Sequence, residues 1–287
     1  MLAAITRTYT DSVPTDVPAT ELRPYVRNEV GSFPETVGEY ILHAKNWKRA
    51  GDCPSMVYEY HFWIHQYRDP GMMEFSKLIY DDIRGYYSHG FDGLIEDGSQ
   101  RSFFPNGFNL FVYAETLFDT NIDYESLRQT YFSYAYGELG GLVIEYLKKM
   151  TDSFGMRYIM GSLNAIVTNN TGNASYFDRE RAKILLTVKD TVSQYASVFE
   201  EYKNMPYRAQ TVAMRLLRRH LEYCSRLAEI WALKAAGKDS CAVDAFKQFM
   251  VDFGKYEIEI ETYFDQRMCF NSFERIICSP KTFYSAD

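Results

Sequence analysis

Glu96 and Asp97 close the segment Gly90-Phe91-Asp92-Gly93-Leu94-Ile95-Glu96-Asp97-Gly98, a short apolar run bracketed by glycines. Such a run reads as a buried strand that delivers acidic side chains to the loop at its carboxyl end. A second concentration of reactive residue types lies upstream. There Tyr58, Glu59, Tyr60, His61, Trp63 and His65 crowd the end of another strand-like stretch, Cys53 to Ile64. Carboxylates and imidazole supply general acid–base groups, while tyrosine and tryptophan rings present a flat apolar face and a polar edge that suit a sugar. Strand alternation puts Tyr58, Tyr60 and Phe62 on one face and Glu59, His61 and Trp63 on the other. Glu96 is therefore the candidate catalytic group. Tyr58, Glu59, Tyr60, His61, Trp63, Asp97 and Asn106 are the candidates for lining a substrate site, Asn106 from the loop Ser99 to Asn109. The competing reading of Glu96 and Asp97 is a solvated acidic turn. For His61 taken alone, a histidine bonded within the fold is the stronger reading.

Amphipathic patterns flank these stretches. Phe75 to His89 and Asn109 to Phe118 read as helices on either side of the Gly90–Gly98 strand, the grammar of an α/β layer. In such layers chemistry sits beyond the carboxyl ends of the strands. Met1 to Thr10 has strand character, and a connector with Pro14, Pro18 and Pro24 follows it. Ser32-Phe33-Pro34-Glu35 fits a capping box that opens a helix carrying Ile41, Leu42 and Trp47 and ending at Gly51. From Asn109 onward the pattern stays helical. Asp123 caps a helix closed by Gly137, another covers Leu139 to Met150, and a polar loop occupies 161–175. Three long apolar stripes follow, each as wide as a bundle face. The expected fold is α/β and then all-α, with 1–150 as the α/β region and 151–287 as a C-terminal helical bundle.

Composition narrows the function classes. The 287 residues carry a net charge of -7, which argues against nucleic acid as a partner because phosphate binding needs a basic footprint. No apolar run is long enough for a membrane span, and the first residues lack the basic and apolar regions of a signal peptide, so a cytoplasmic location is the default expectation. The five cysteines are scattered without a CxxC pair, and neither a metal-ligand spacing nor a phosphate-binding glycine loop is present. No cofactor and no metal are assigned.

Gly90-Phe91-Asp92-Gly93 followed by Glu96, then Leu117-Phe118-Asp119-Thr120-Asn121-Ile122-Asp123 and Tyr136-Gly137, resembles a family of glycoside-hydrolase-like (β/α)8 barrels catalogued as a domain of unknown function. That family is related to α-glucuronidase and β-N-acetylhexosaminidase-type barrels. Where the family has Trp-Asp-Pro, this chain has Phe118-Asp119-Thr120. The resemblance covers roughly residues 1–150. It implies the C-terminal portion of a TIM-like barrel, about three strands, followed by the helical bundle. It also implies a carbohydrate-active protein that acts on glycosidic bonds of an oligo- or polysaccharide, with Glu96 in carboxylate acid/base chemistry. A missing N-terminal barrel half or a homo-oligomer would then cover the open sheet edge. The alternatives are a non-catalytic carbohydrate-binding module and a helical protein-interaction module.

Overall fold

Val57 and Glu59 are buried while Met56 and Tyr58 are exposed, the period-two signature of a strand with one covered face. In the computed structural model, which describes residues 9–19, 21, 22, 24, 26, 34, 36–51, 54–98, 101–160 and 176–278, this strand (β1, Met56–Glu59) pairs in parallel with Gly93–Glu96 (β2). The register joins Met56 to Gly93, Val57 to Leu94, Tyr58 to Ile95 and Glu59 to Glu96. Parallel neighbours need a crossover, and helix α2 (Met73–Ser88) supplies it. The helix stops in a Schellman motif: the Phe91 N–H donates to the Tyr86 carbonyl at 3.1 Å and the Gly90 N–H to the Tyr87 carbonyl at 2.9 Å. Gly90 sits there at φ 79°, a value that costs a Cβ-bearing residue strain, and Phe91 returns against the Tyr86 ring.

The first strand is shorter than the sequence pattern predicts. It ends at Glu59, and Tyr60 to Ile64 turn into a single 3-10 turn at His65–Arg68. Side chains take the backbone donors that a longer ladder would use. The Tyr60 N–H is held by Glu59 Oε2 and the Tyr9 hydroxyl, both at 3.2 Å, and the His61 N–H donates to Glu96 Oε2 at 3.1 Å. Alternation therefore fails beyond Tyr60, and Phe62 enters the core instead of sharing the exposed face of Tyr58.

The helices are α1 (Val37–Gly51), α3 (Phe108–Phe118), α4 (Tyr124–Tyr136), α5 (Gly140–Phe154), α6 (Met156–Met160), α7 (Arg179–Leu186), α8 (Val188–Glu201), α9 (Arg208–Ala235), α10 (Asp239–Gly254), α11 (Glu257–Ile260) and α12 (Gln266–Ile277). Asp123 caps α4 as expected, accepting from the Ser126 N–H at 2.8 Å. The expected strand over 1–10 and the Ser32–Glu35 capping box lie largely outside the described residues, as does the 161–175 loop. At the start of α1, Thr36 Oγ1 accepts from the Glu39 N–H at 3.1 Å. The first long stripe is two helices, α7 and α8, which meet at Thr187, and the third is also split, into α10 ending at Gly254 and the short α11 that carries Ile260. The C-terminal segment, left unassigned by pattern, holds α12, whose Phe270, Phe273, Ile276 and Ile277 are buried.

Among the described residues the protein is thus mostly helical with a small α/β part of two strands. One buried cluster runs from Phe62, Phe75 and Ile79 through Phe132 and Leu147 to Leu217, Trp231 and Phe273. A smaller one, including Val37, Ile41, Val57, Tyr86 and Phe91, joins α1 to the sheet and α2. No described helix is long and apolar enough to cross a membrane.

Asp69 organises the start of α2. Its Oδ2 accepts from the Glu74 and Phe75 N–H groups at 2.9 and 3.0 Å, and its Oδ1 from the Thr151 hydroxyl at 2.7 Å. This closes α2 onto α5 so tightly that a Cβ on Gly71 would lie 2.1 Å from the Leu147 carbonyl oxygen. Gly71→Ala is expected to destabilise the fold by about 1–3 kcal/mol, read as a fall in the urea midpoint, because backbone on both sides must move.

Candidate functional site

The parallel register sets Glu59 and Glu96 side by side as the last residues of their strands. Both side chains turn toward α2. That helix contributes Asp82 and Tyr86, four residues apart and hence on one face. The Tyr86 hydroxyl donates to Glu59 Oε1 and the Tyr9 hydroxyl to Glu59 Oε2. His61 lies between two carboxylates, with Nδ1 2.5 Å from Glu96 Oε1 and Nε2 2.7 Å from Asp82 Oδ2. The Val13 N–H donates to the other Asp82 oxygen at 2.7 Å. Glu59, His61 and Asp82 are fully buried, and the Glu96 side chain is 6% exposed.

Charge in this group is strongly coupled. Burial by itself would push the His61 imidazolium toward losing its proton, but Glu96 and Glu59, with the Asp82 hydrogen bond, raise its pKa to about 10. His61 is therefore an imidazolium that donates from both nitrogens. Burial raises the Glu96 pKa above the ordinary carboxylate range, and His61 offsets only part of that rise. Nearby on α3, the Tyr113 hydroxyl is pushed up by burial and then by Glu96 and Glu59.

The opposite face of the sheet is open. Met56, Tyr58 and Ile95 are 58%, 38% and 46% exposed on it. Tyr58 and Tyr60 have ring centroids 5.4 Å apart, and Tyr60 and Trp63 5.9 Å. Asp97 raises the Tyr60 pKa after burial does, so the carboxylate and the ring share one neighbourhood. Tyr58, Met56 and Ile95 also form one wall of an apolar groove of about 470 Å³, whose other wall is Tyr40, Ala44 and Trp47 of α1. A volume of that order suits a small ligand.

The sequence-derived candidates thus divide between two faces. Glu59, His61 and Glu96 meet on the helix side. Tyr58, Tyr60, Trp63 and Asp97 gather at the open side. Asn106 joins neither: it is buried at the start of α3, where its Oδ1 accepts from the Phe108 N–H at 3.0 Å, and it lies against Tyr136. Sequence reasoning missed Asp82, Tyr86 and Tyr9. A signal was present for Asp82, an acidic residue inside the inward stripe Ile79, Ile83 and Tyr86, where a buried charge demands a partner.

Sequence spacing assigned no metal, yet the structure brings one donor atom each from Glu59, His61 and Asp82 within 4.8 Å of one another. They come from β1, the turn after it and α2, so no linear motif links them. Comparison of the chain with family models, curated proteins and solved structures finds no match, and the functional reading rests on the site's geometry.

Proposed function

We propose that the chain is a carbohydrate-active protein whose open sheet face binds an oligosaccharide, and that its α/β part is a portion of a glycosidase-like (β/α) barrel. The observation that carries this reading is the row Tyr58, Tyr60 and Trp63 beside Asp97, placed where two parallel strands end. Rings spaced in this way stack on the apolar faces of sugar units, and a neighbouring carboxylate accepts from their hydroxyls. In a closed barrel the face turned away from the helices points to the interior, where such groups meet substrate. Each of the two described strands keeps an outer edge, and it is along those edges that further barrel strands would add.

Binding without turnover is the form of this reading that the side-chain directions favour. Glycosidic hydrolysis needs two carboxyl groups flanking the bond. Glu96 and Asp97 are consecutive and point to opposite faces, and both Glu96 oxygens are engaged by His61. One observation favours a hydrolytic role as a second reading: burial raises the Glu96 pKa, which is what a general acid near neutral pH requires.

The test is titration of the purified chain with a panel of soluble oligosaccharides, with reducing-end release followed in parallel. Wild-type binding should weaken by about 3–10-fold in Tyr60→Ala, the loss expected for one stacking ring. Glu96→Gln should leave affinity nearly unchanged. If Glu96→Gln abolishes measurable turnover while binding persists, the hydrolytic reading stands. If no oligosaccharide binds the wild type, the carbohydrate reading fails.

A further inference from the structure

We propose that Glu59, His61 and Asp82 form a site for one divalent first-row cation, of which Mn2+ and Zn2+ are the representative ions, on the helix side of the sheet. The inference goes beyond the sugar-binding reading and concerns the opposite face from Tyr58, Tyr60 and Asp97. One donor atom from each residue lies within 4.8 Å of the others. Three donors held about 2.0–2.2 Å from one ion stand roughly 3.0–3.8 Å apart, so shifts of up to about an ångström bring all three into range. One imidazole nitrogen and two carboxylate oxygens are a donor set for borderline cations, and two carboxylates match a double positive charge.

A supporting shell around the three residues is the second, separate observation. Glu96, outside the ligand set, holds His61 Nδ1 at 2.5 Å, the carboxylate–histidine arrangement that fixes the ring of a metal-bound imidazole and raises its basicity. That bond aims Nε2 at Asp82 Oδ2. The Val13 N–H anchors the other Asp82 oxygen, and the Tyr9 and Tyr86 hydroxyls orient Glu59. The ligands are thus oriented by groups from the segment before α1, from α2 and from β2. Coordination at Nε2 takes the place of its proton, which passes to solvent.

The experiment uses the full chain, stripped with a chelator and dialysed against buffer with Zn2+, Mn2+ or Co2+. Elemental analysis should find close to one equivalent of Zn2+ or Mn2+ retained, with a rise in Tm that a chelator reverses. Co2+ should give visible d–d bands without the near-ultraviolet band of a thiolate ligand. Glu96→Gln, which keeps the shape of the supporting group, should weaken binding about 10–100-fold. His61→Gln should abolish it, and should that variant fail to fold, the wild-type spectrum and Glu96→Gln still decide. Absence of retained metal with an unchanged Tm overturns the proposal. A thiolate band also overturns it, because the ion would then sit on cysteine. Oligosaccharide titration of the stripped protein reads the sugar hypothesis separately, so either idea can fail alone.

Discussion

Asp82→Ala should lower the stability of the protein by about 3–5 kcal/mol, the cost of removing one partner from a buried ion pair and leaving the other uncompensated. Asp82 receives His61 Nε2 at 2.7 Å and the Val13 N–H at 2.7 Å, with no solvent to replace either bond. Without it, His61 keeps only Glu96, and the Val13 amide loses its acceptor. Asp82→Asn should cost less, since an amide oxygen still accepts one of these bonds. Urea unfolding followed by far-ultraviolet circular dichroism measures the difference. An unfolding free energy within about 0.5 kcal/mol of wild type for Asp82→Ala would show that the pair contributes little. The double variant Asp82→Ala/His61→Ala should be less destabilised than the sum of the singles, because removing His61 also removes the stranded charge.

Acid sensitivity centred on His220 is the second large effect. His220 is fully buried on α9, with Nε2 2.9 Å from the Pro70 carbonyl and Nδ1 3.0 Å from the Tyr146 hydroxyl. These partners select the neutral tautomer, in which Nε2–H donates and Nδ1 accepts. Burial drives its pKa down to about 3, and the Pro70 carbonyl offsets only part of that fall. The unfolded chain protonates near pH 6.5 and the folded one does not. This contribution to stability is therefore complete above pH 6.5 and is lost as the pH falls from 6.5 toward 3. The slope from this residue is about 1.4 kcal/mol per pH unit within that window. The neighbouring Cys224 thiol and Tyr146 hydroxyl are pushed up by burial and stay protonated throughout. His220→Gln should be less stable than wild type at pH 7 and should narrow that gap as pH approaches 4. Parallel Tm–pH curves for the two proteins would rule out His220 as the source.

Much of the local structure could be read in advance because it rests on local chemistry. Asp123 capping α4, Gly137 closing it and the apolar period of α2 and α9 depend on residues within a few positions of one another. The strand end near Glu59 was misjudged because its limit is set by non-local bonds. Tyr9 and Glu96 take part in holding the Tyr60 and His61 amides, from 51 and 35 residues away. The same holds for α12: its helix cap at Asp265 is local, but its reason to fold is the surface of α10 that it covers.

For the candidate site, the sequence alone determined the residue types at the two strand ends: carboxylates, imidazole and aromatic rings at Tyr58–His61, Trp63 and Glu96–Asp97. Only the tertiary structure decided how they are partitioned. The pairing of Glu59 with Glu96 turns both toward α2, where Asp82 and Tyr86 wait on one helical face, and leaves Tyr58, Tyr60 and Asp97 on the other side of the sheet. The physical reason is that a strand alternates its side chains between two faces, and the face that a helix will cover cannot be named until the helix has packed. Buried carboxylates and an imidazole persist there only because each finds a charged or hydrogen-bonding partner from a distant part of the chain.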